Sequence, residues 1–129
     1  MAGMEAPLRF YADEFVKGIE NRVKEVMSFV YPPVTMYEES GEIVIEADLP
    51  GFKKENIRVV LEKNALTISA NRQLNRSGMT YLDQRPERVH KRITLPLEID
   101  YAVDYTARYE DGVLTVSIPV KGIKTVKVE

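Results

Sequence analysis

Residues 42–51 of this 129-residue chain, EIVIEADLPG, decide its fold. Apolar residues alternate there with a second set, which predicts a strand with one buried and one solvated face. The buried set is Ile43, Ile45, Ala47 and Leu49, and the solvated set is Glu42, Val44, Glu46 and Asp48. Pro50-Gly51 then predicts a turn, because both residues favour turn backbones.

The same period of two continues as far as residue 120, and a short first strand is expected from Val34 and Met36. The later apolar stripes are Ile57, Val59 and Leu61; Leu66, Ile68 and Ala70; Val89, Ile93, Leu95 and Leu97; Ala107 and Tyr109; and Leu114, Val116, Ile118 and Val120. Turns are predicted at Lys63-Asn64 and Asp111-Gly112, of which the second is a strong hairpin signal. No second helical run separates the stripes, so the pattern predicts an all-β antiparallel sandwich or barrel.

An amphipathic helix is predicted before the strands. Its apolar residues recur at spacings of three and four, namely Phe15, Ile19, Val23, Val26 and Val30. Pro32-Pro33 ends the helix because proline lacks the amide donor. The expected organisation is therefore an N-terminal helical arm over 1–31, a sandwich over 32–120 and a tail over 121–129. Since the sandwich supplies its own facing stripes, we expect the helix face to contact other proteins rather than its own domain.

Composition excludes several classes of function. The chain has no Cys and a single His, so thiolate chemistry and multi-His metal sites are excluded. A formal net charge of −2 gives no global attraction to nucleic acid or anionic lipid. No nucleotide-binding loop, nucleophile elbow, signal peptide or membrane-spanning segment is present in the sequence. We expect no catalytic residues, metal or cofactor, a structural role for His90, no nucleic-acid partner, no membrane contact and a cytoplasmic location.

Two segments depart from the regular pattern. Residues 71–88 form a long polar excursion with a weak strand at Met79–Leu82, which is typical of an interaction arm. The only basic cluster runs from the end of this segment into the next stripe, at Arg85, Arg88, Lys91 and Arg92, and is expected in a dimer contact or in salt bridges within the domain. In the tail, an extended backbone would place Val126 and Val128 on the same side. Two such residues suit addition to the edge of a partner's sheet. The alternative is a frayed terminus.

Taken together and in order, several segments resemble the small heat-shock proteins of the α-crystallin family, the archaeal members above all. The matching segments are 32–38 (PPVTMYE), 47–57 (ADLPGFKKENI), 64–70 (NALTISA), 95–96 (LP) and 107–114 (ARYEDGVL). The resemblance covers about residues 31–120. It implies an immunoglobulin-like antiparallel sandwich and an ATP-independent holdase chaperone, which binds partly unfolded proteins under heat or other stress and works as a large oligomer built from dimers.

The resemblance also implies how the subunits assemble. Residues 71–88 would be a dimerisation loop whose strand pairs with Val34–Glu38 of the partner, and 126–128 would match the family's I-x-I/V tail motif with Val at its first position. The implied dimer residues are Val34, Met36, Tyr37, Met79, Tyr81, Leu82, Arg85, Lys91 and Arg92. The implied tail residues are Val126 and Val128, docking in a groove assigned to Val59, Leu61, Leu114 and Val116. Client contacts are expected from Phe10, Tyr11, Phe15, Ile19, Val23, Val26, Met27, Phe29 and Val30.

Three alternative functions fit the sequence less well. A co-chaperone module that binds a folded chaperone would not need the helix, the long loop and the tail. A carbohydrate-binding module would require exposed aromatic residues ringed by carboxylates, whereas this chain has no Trp and scattered Tyr residues. A membrane-surface protein would require a helix with a uniformly basic polar face, and here that face mixes both signs.

Overall fold

Two antiparallel sheets make up the fold. The computed structural model describes residues 15–23, 25, 26, 30–122 and 128, of which 15–23, 25, 26 and 30 are helical. The strands within these residues are β1 (Val34–Glu39), β2 (Glu42–Asp48), β3 (Ile57–Glu62), β4 (Ala65–Asn71), β5 (Arg88–Thr94), β6 (Thr106–Glu110) and β7 (Val113–Pro119), with a single 3-10 turn at Lys54–Asn56. One sheet has the order β1-β2-β7-β6 and the other β3-β4-β5. The predicted antiparallel sandwich with an N-terminal helix is confirmed.

The predicted apolar stripes of both sheets form one core. Its fully or nearly buried members are Ile43, Ile45, Ala47, Leu49, Phe52, Leu66, Ile68, Ala70, Val89, Ile93, Leu95, Ile99, Leu114, Val116, Ile118 and Val120. The β3 stripe, Ile57, Val59 and Leu61, packs against this core while partly exposed, as an edge strand does. None of the helical residues that the structure describes belongs to the core cluster. The described part of the helix therefore contributes nothing to this core cluster.

Three tight hairpins connect neighbouring strands of the described chain, and one of them is the predicted Lys63-Asn64 turn between β3 and β4, where Lys63 has a φ of 54°. At Asp111-Gly112, which the sequence predicts, both residues have positive φ, 53° and 77°. Ser40-Gly41, which joins β1 to β2, has φ values of 51° and 79° and was not singled out in the sequence. Two successive left-handed residues give the turn twist that matches the twist of paired strands.

Two details differ from the alternation. Val44 was expected on the solvated face but is buried, because β2 has a neighbour on each side, with Tyr37 and Ser117 opposite Val44 in register. β5 ends at Thr94, before the predicted Leu95 and Leu97. The N–H of Leu95 donates to the carbonyl of Asn64 at 2.8 Å, and the carbonyl of Leu95 accepts from the side-chain amide of Asn64 at 2.9 Å. Because a side chain supplies one of these two bonds, Leu95 leaves the ladder.

The turn after β2 is held from several directions. The hydroxyl of Tyr109 lies 2.6 Å from the carbonyl oxygen of Leu49 and 2.8 Å from that of Phe52. The backbone N–H of Leu49 donates to the carbonyl of Gly112 at 2.7 Å. A Cβ on Gly112 would stand 3.1 Å from Pro50 Cα, so glycine permits this close packing. The turn is consequently a fixed platform at one end of the sandwich.

Candidate functional site

The apolar face of the N-terminal helix is largely exposed. Phe15 is 70% exposed, and Ile19, Val26 and Val30 are also exposed, while Val23 is half-buried. Phe10, Tyr11, Met27 and Phe29, which were also predicted to bind clients, lie outside the described residues. In the single chain, the described part of this face is free to contact another molecule.

Lys91 ties the end of the helix to the sandwich. Its Nζ donates hydrogen bonds to the carbonyl oxygens of Val30 and Pro32, each at 3.0 Å. A lysine near the C-terminus of a helix satisfies carbonyls that have no helical partner. The sequence could not show this contact, because the bonded groups are about sixty residues apart. Arg92, its neighbour, is exposed, and the predicted dimer role of both side chains stays a prediction.

The long loop has a fixed base and an exposed tip. At the base, the N–H of Arg72 donates to the carbonyl of Glu87 at 2.9 Å, and Pro86 is buried. Arg76 and Asp83 form an ion pair at 2.8 Å across the middle of the loop. At the tip lie the predicted contact residues Met79, Tyr81 and Leu82, which are 79%, 85% and 66% exposed. They form no strand within the described chain, so the predicted strand at 79–82 is not formed by one subunit alone.

β1 is an edge strand. It pairs with β2 on one side, and on its other side no strand of the described chain lies next to it. Unpaired backbone groups on such an edge can accept a further strand. Val34 packs partly on the core, whereas Met36 and Tyr37 are exposed. A hydrogen bond from the Tyr37 hydroxyl to the Glu46 carboxylate raises the pKa of Tyr37.

The residues assigned to the tail groove are only partly accessible. Val59 and Leu61 on β3 are half-buried at a sheet edge. Leu114 and Val116, however, are 3% and 0% exposed in the single chain, and their role in a groove stays a prediction. β7 lies between β2 and β6 in its sheet, which makes β6 the edge strand there. Val128 is exposed, and Val126 lies outside the described residues.

Metal-ligating side chains are not brought together in the described part of the chain. Among those residues no group of three or more His, Asp and Glu side chains is placed to hold a metal ion. His90 is exposed on β5. Of the helical residues that the structure describes, none belongs to a segment long and apolar enough to cross a membrane.

Comparison with known proteins agrees with this architecture. The family model described as "Hsp20/alpha crystallin family" matches residues 35–128. "Heat shock protein HSP.16.4" of Streptococcus thermophilus is 30% identical over 128 residues, covering 94% of this chain and 84% of the relative. The "17.5 kDa class I heat shock protein" of Glycine max is 35% identical over 105 residues, covering 78% and 68% of the two chains.

Solved structures extend the similarity to three dimensions. A crystal structure of the A102D mutant of hsp14.1 from Sulfolobus solfataricus P2 superposes with a TM-score of 0.76 at 38% identity, covering 92% of this chain and 97% of that chain. Heat shock protein 16.0 from Schizosaccharomyces pombe gives a TM-score of 0.61 at 27% identity, covering 76% and 94%. Sequence, fold and a family match over most of its length together show that the chain belongs to the Hsp20/alpha crystallin family.

Proposed function

We propose that this protein is an ATP-independent holdase chaperone that binds partly unfolded proteins and prevents their aggregation. Its membership of the family makes it a small heat-shock protein and not an enzyme. The observation that carries the holdase proposal is the apolar surface outside a closed core, on the helix and on the loop. Partly unfolded proteins expose apolar patches that otherwise associate with one another. A chaperone that covers those patches competes with aggregation and needs no nucleotide.

We propose further that the working form is an oligomer built from dimers, in the archaeal manner. The likeness to the Sulfolobus structure supports that type. In each dimer the loop tip of one subunit, residues 79–82, would add a strand to the free edge of β1 in the other. The exposed loop tip and the unpaired side of β1 support this exchange. Pairing would give hydrogen-bond partners to the backbone N–H and C=O groups of both segments.

The tail would join dimers into larger assemblies. Replacing Val126 and Val128 together by Ala should shift the mass distribution from large assemblies toward dimers, because two β-branched side chains no longer fill the docking site on another dimer. Each truncation removes about two methylene equivalents, worth roughly 0.8 kcal/mol apiece. Native mass spectrometry of the double variant measures the change. An unchanged distribution would remove the tail from the assembly.

We also expect the protein to act in the cytoplasm. Its lack of cysteine suits a reducing compartment. Fractionation of source cells tests this, and recovery of the protein from an oxidising compartment would contradict it.

The decisive experiment is light scattering from a heat-labile client in nucleotide-free buffer. At a near-stoichiometric subunit ratio, the full chain should suppress the rise in scattering on heating without any added ATP. An inert protein of similar mass at the same concentration serves as the control. Undiminished scattering across a range of temperatures would contradict the holdase proposal and favour the co-chaperone alternative, whose partner is a folded protein.

A further inference from the structure

Positive charge is concentrated around the turn after β2, although the chain as a whole has a formal net charge of −2. Two cavities, of about 970 and about 440 Å³, adjoin there and share Gly51 and Arg72. The larger one is also lined by Lys53 and Arg88, and the smaller one by Arg85. The two cavities with their shared wall are called the Gly51 cleft below.

Two guanidinium groups converge on Gly51. Measured from where a Cβ of residue 51 would stand, Arg72 Nη1 is 2.8 Å away and Arg85 Nη2 is 3.8 Å away. Gly51 has a φ of 86°, a backbone that glycine adopts without strain. A side chain at this position would therefore meet Arg72 directly. Glycine keeps the space between the two cations open.

Cations outnumber carboxylates around the Gly51 cleft. In the described part of the chain, Lys53, Arg85 and Arg88 form no ion pair. Glu87 is the one carboxylate among the lining residues of the two cavities. Burial lowers the pKa of Arg72, and the nearby charge of Arg85 lowers it further. An anion placed between the two guanidinium groups would offset the repulsion between their like charges.

The cleft is preformed. Arg72 Nε donates to the carbonyl of Pro86 at 3.0 Å, and its guanidinium stacks 4.2 Å from the centre of the Phe52 ring. The backbone N–H of Arg72 also donates a hydrogen bond to the carbonyl of Glu87. The turn beneath it is fixed by the bonds that Tyr109 makes to both of its ends. Binding an anion here would require little ordering of the protein, which reduces the free-energy cost of association.

We propose that the Gly51 cleft binds a chain of phosphate groups. Three arginines and a lysine offer charge-assisted hydrogen bonds, which suit phosphate oxygens. The larger cavity adds the side-chain amides of Asn56 and Asn71, and its lining contains no Phe, Tyr or Trp on which a base could stack. Tyr31 lines only the smaller cavity. Recognition would therefore rest on the phosphates. Because Arg72 and Arg85 stand at the two ends of the loop, a bound phosphate chain would also brace the loop's base.

Isothermal titration of the full chain with inorganic tripolyphosphate, in metal-free buffer, tests the proposal. We expect saturable binding that weakens with added NaCl, since the contacts are ionic. Arg85→Gln and Arg88→Gln, one in each cavity, should each weaken binding about ten-fold or more through the loss of a charge-assisted contact. The matched control is Arg108→Gln, which removes the same charge from exposed β6 in the other sheet and should leave the affinity unchanged.

Comparison ligands separate the sources of phosphate. ATP should bind about as tightly as tripolyphosphate, because the base makes no contact; markedly tighter ATP binding would overturn base-independent recognition. Equal losses in all three variants would reduce the effect to general charge, and the proposal would fail. If Arg85→Gln altered dimer dissociation and left tripolyphosphate binding intact, Arg85 would instead face a partner subunit's carboxylate. Client scattering is measured separately, so absent phosphate binding does not bear on the holdase proposal.

Discussion

Removing residues 1–30 should abolish protection of a heated client while leaving a folded dimer. The exposed apolar side chains of the helix, such as Phe15 and Val26, contact no part of the described core. Each would contribute about 1.5–3 kcal/mol when buried against a client. Their loss removes most of the proposed binding area, and the sandwich keeps its core. Lys91 loses its bond to Val30 and retains the one to Pro32.

The measurement compares light scattering, circular dichroism and native mass of the truncated and full chains. A point-substituted pair sharpens it: Ile19→Ser with Val26→Ser on the exposed apolar face, against Lys17→Ser with Asn21→Ser, two exposed polar residues on the other side of the helix. We expect the first pair to impair protection strongly and the second to leave it near the level of the full chain. Full protection by the truncated chain would contradict the proposed role of the helix in client binding. Clients would then bind to the sandwich or to the loop.

The strands were predictable because alternation is a local signal. Ile43, Ile45 and Ala47 lie in the core as expected, since side chains of a strand must point alternately to opposite faces. The Asp111-Gly112 turn was predictable for a similar reason, as its residue types suit its backbone. Both features are encoded within a few neighbouring residues.

Features that depend on distant partners were not predictable. Val44 is buried because β2 lies between two strands, and alternation does not give the strand order. Leu114 and Val116 are buried because they face the core between the two sheets, and how far a groove could reach them depends on the packing of those sheets. The bonds of Lys91 and the convergence of Arg72 and Arg85 also join residues far apart in sequence. These contacts, like the proposed pairing of the loop with another subunit, depend on the three-dimensional arrangement of the chain.

Replacing Met79 and Leu82 by Ser should convert dimers into monomers. Both side chains are exposed in the single chain, and in the proposed dimer they pack on the other subunit beside β1. A fully buried side chain of this size contributes about 1.5–3 kcal/mol. Residues 79 and 82 project to opposite faces of an extended strand, so only one of them faces the sandwich interior. The exchange is reciprocal, so two buried side chains are lost per dimer, and the dimer dissociation constant should rise at least about a hundredfold. The fold of each subunit should survive, since neither residue belongs to the core.

Sedimentation velocity over a range of protein concentrations measures the change, with circular dichroism as the test of folding. The control is Gln73→Ser with Gln84→Ser, which alters two exposed polar residues of the same loop outside the predicted strand. Because the control leaves the strand at 79–82 and the edge of β1 intact, it should dimerise like the unmodified chain. If the Met79 and Leu82 variant keeps the concentration dependence of the unmodified dimer, the loop does not hold the subunits together. The free edge of β1 would then require a different partner strand.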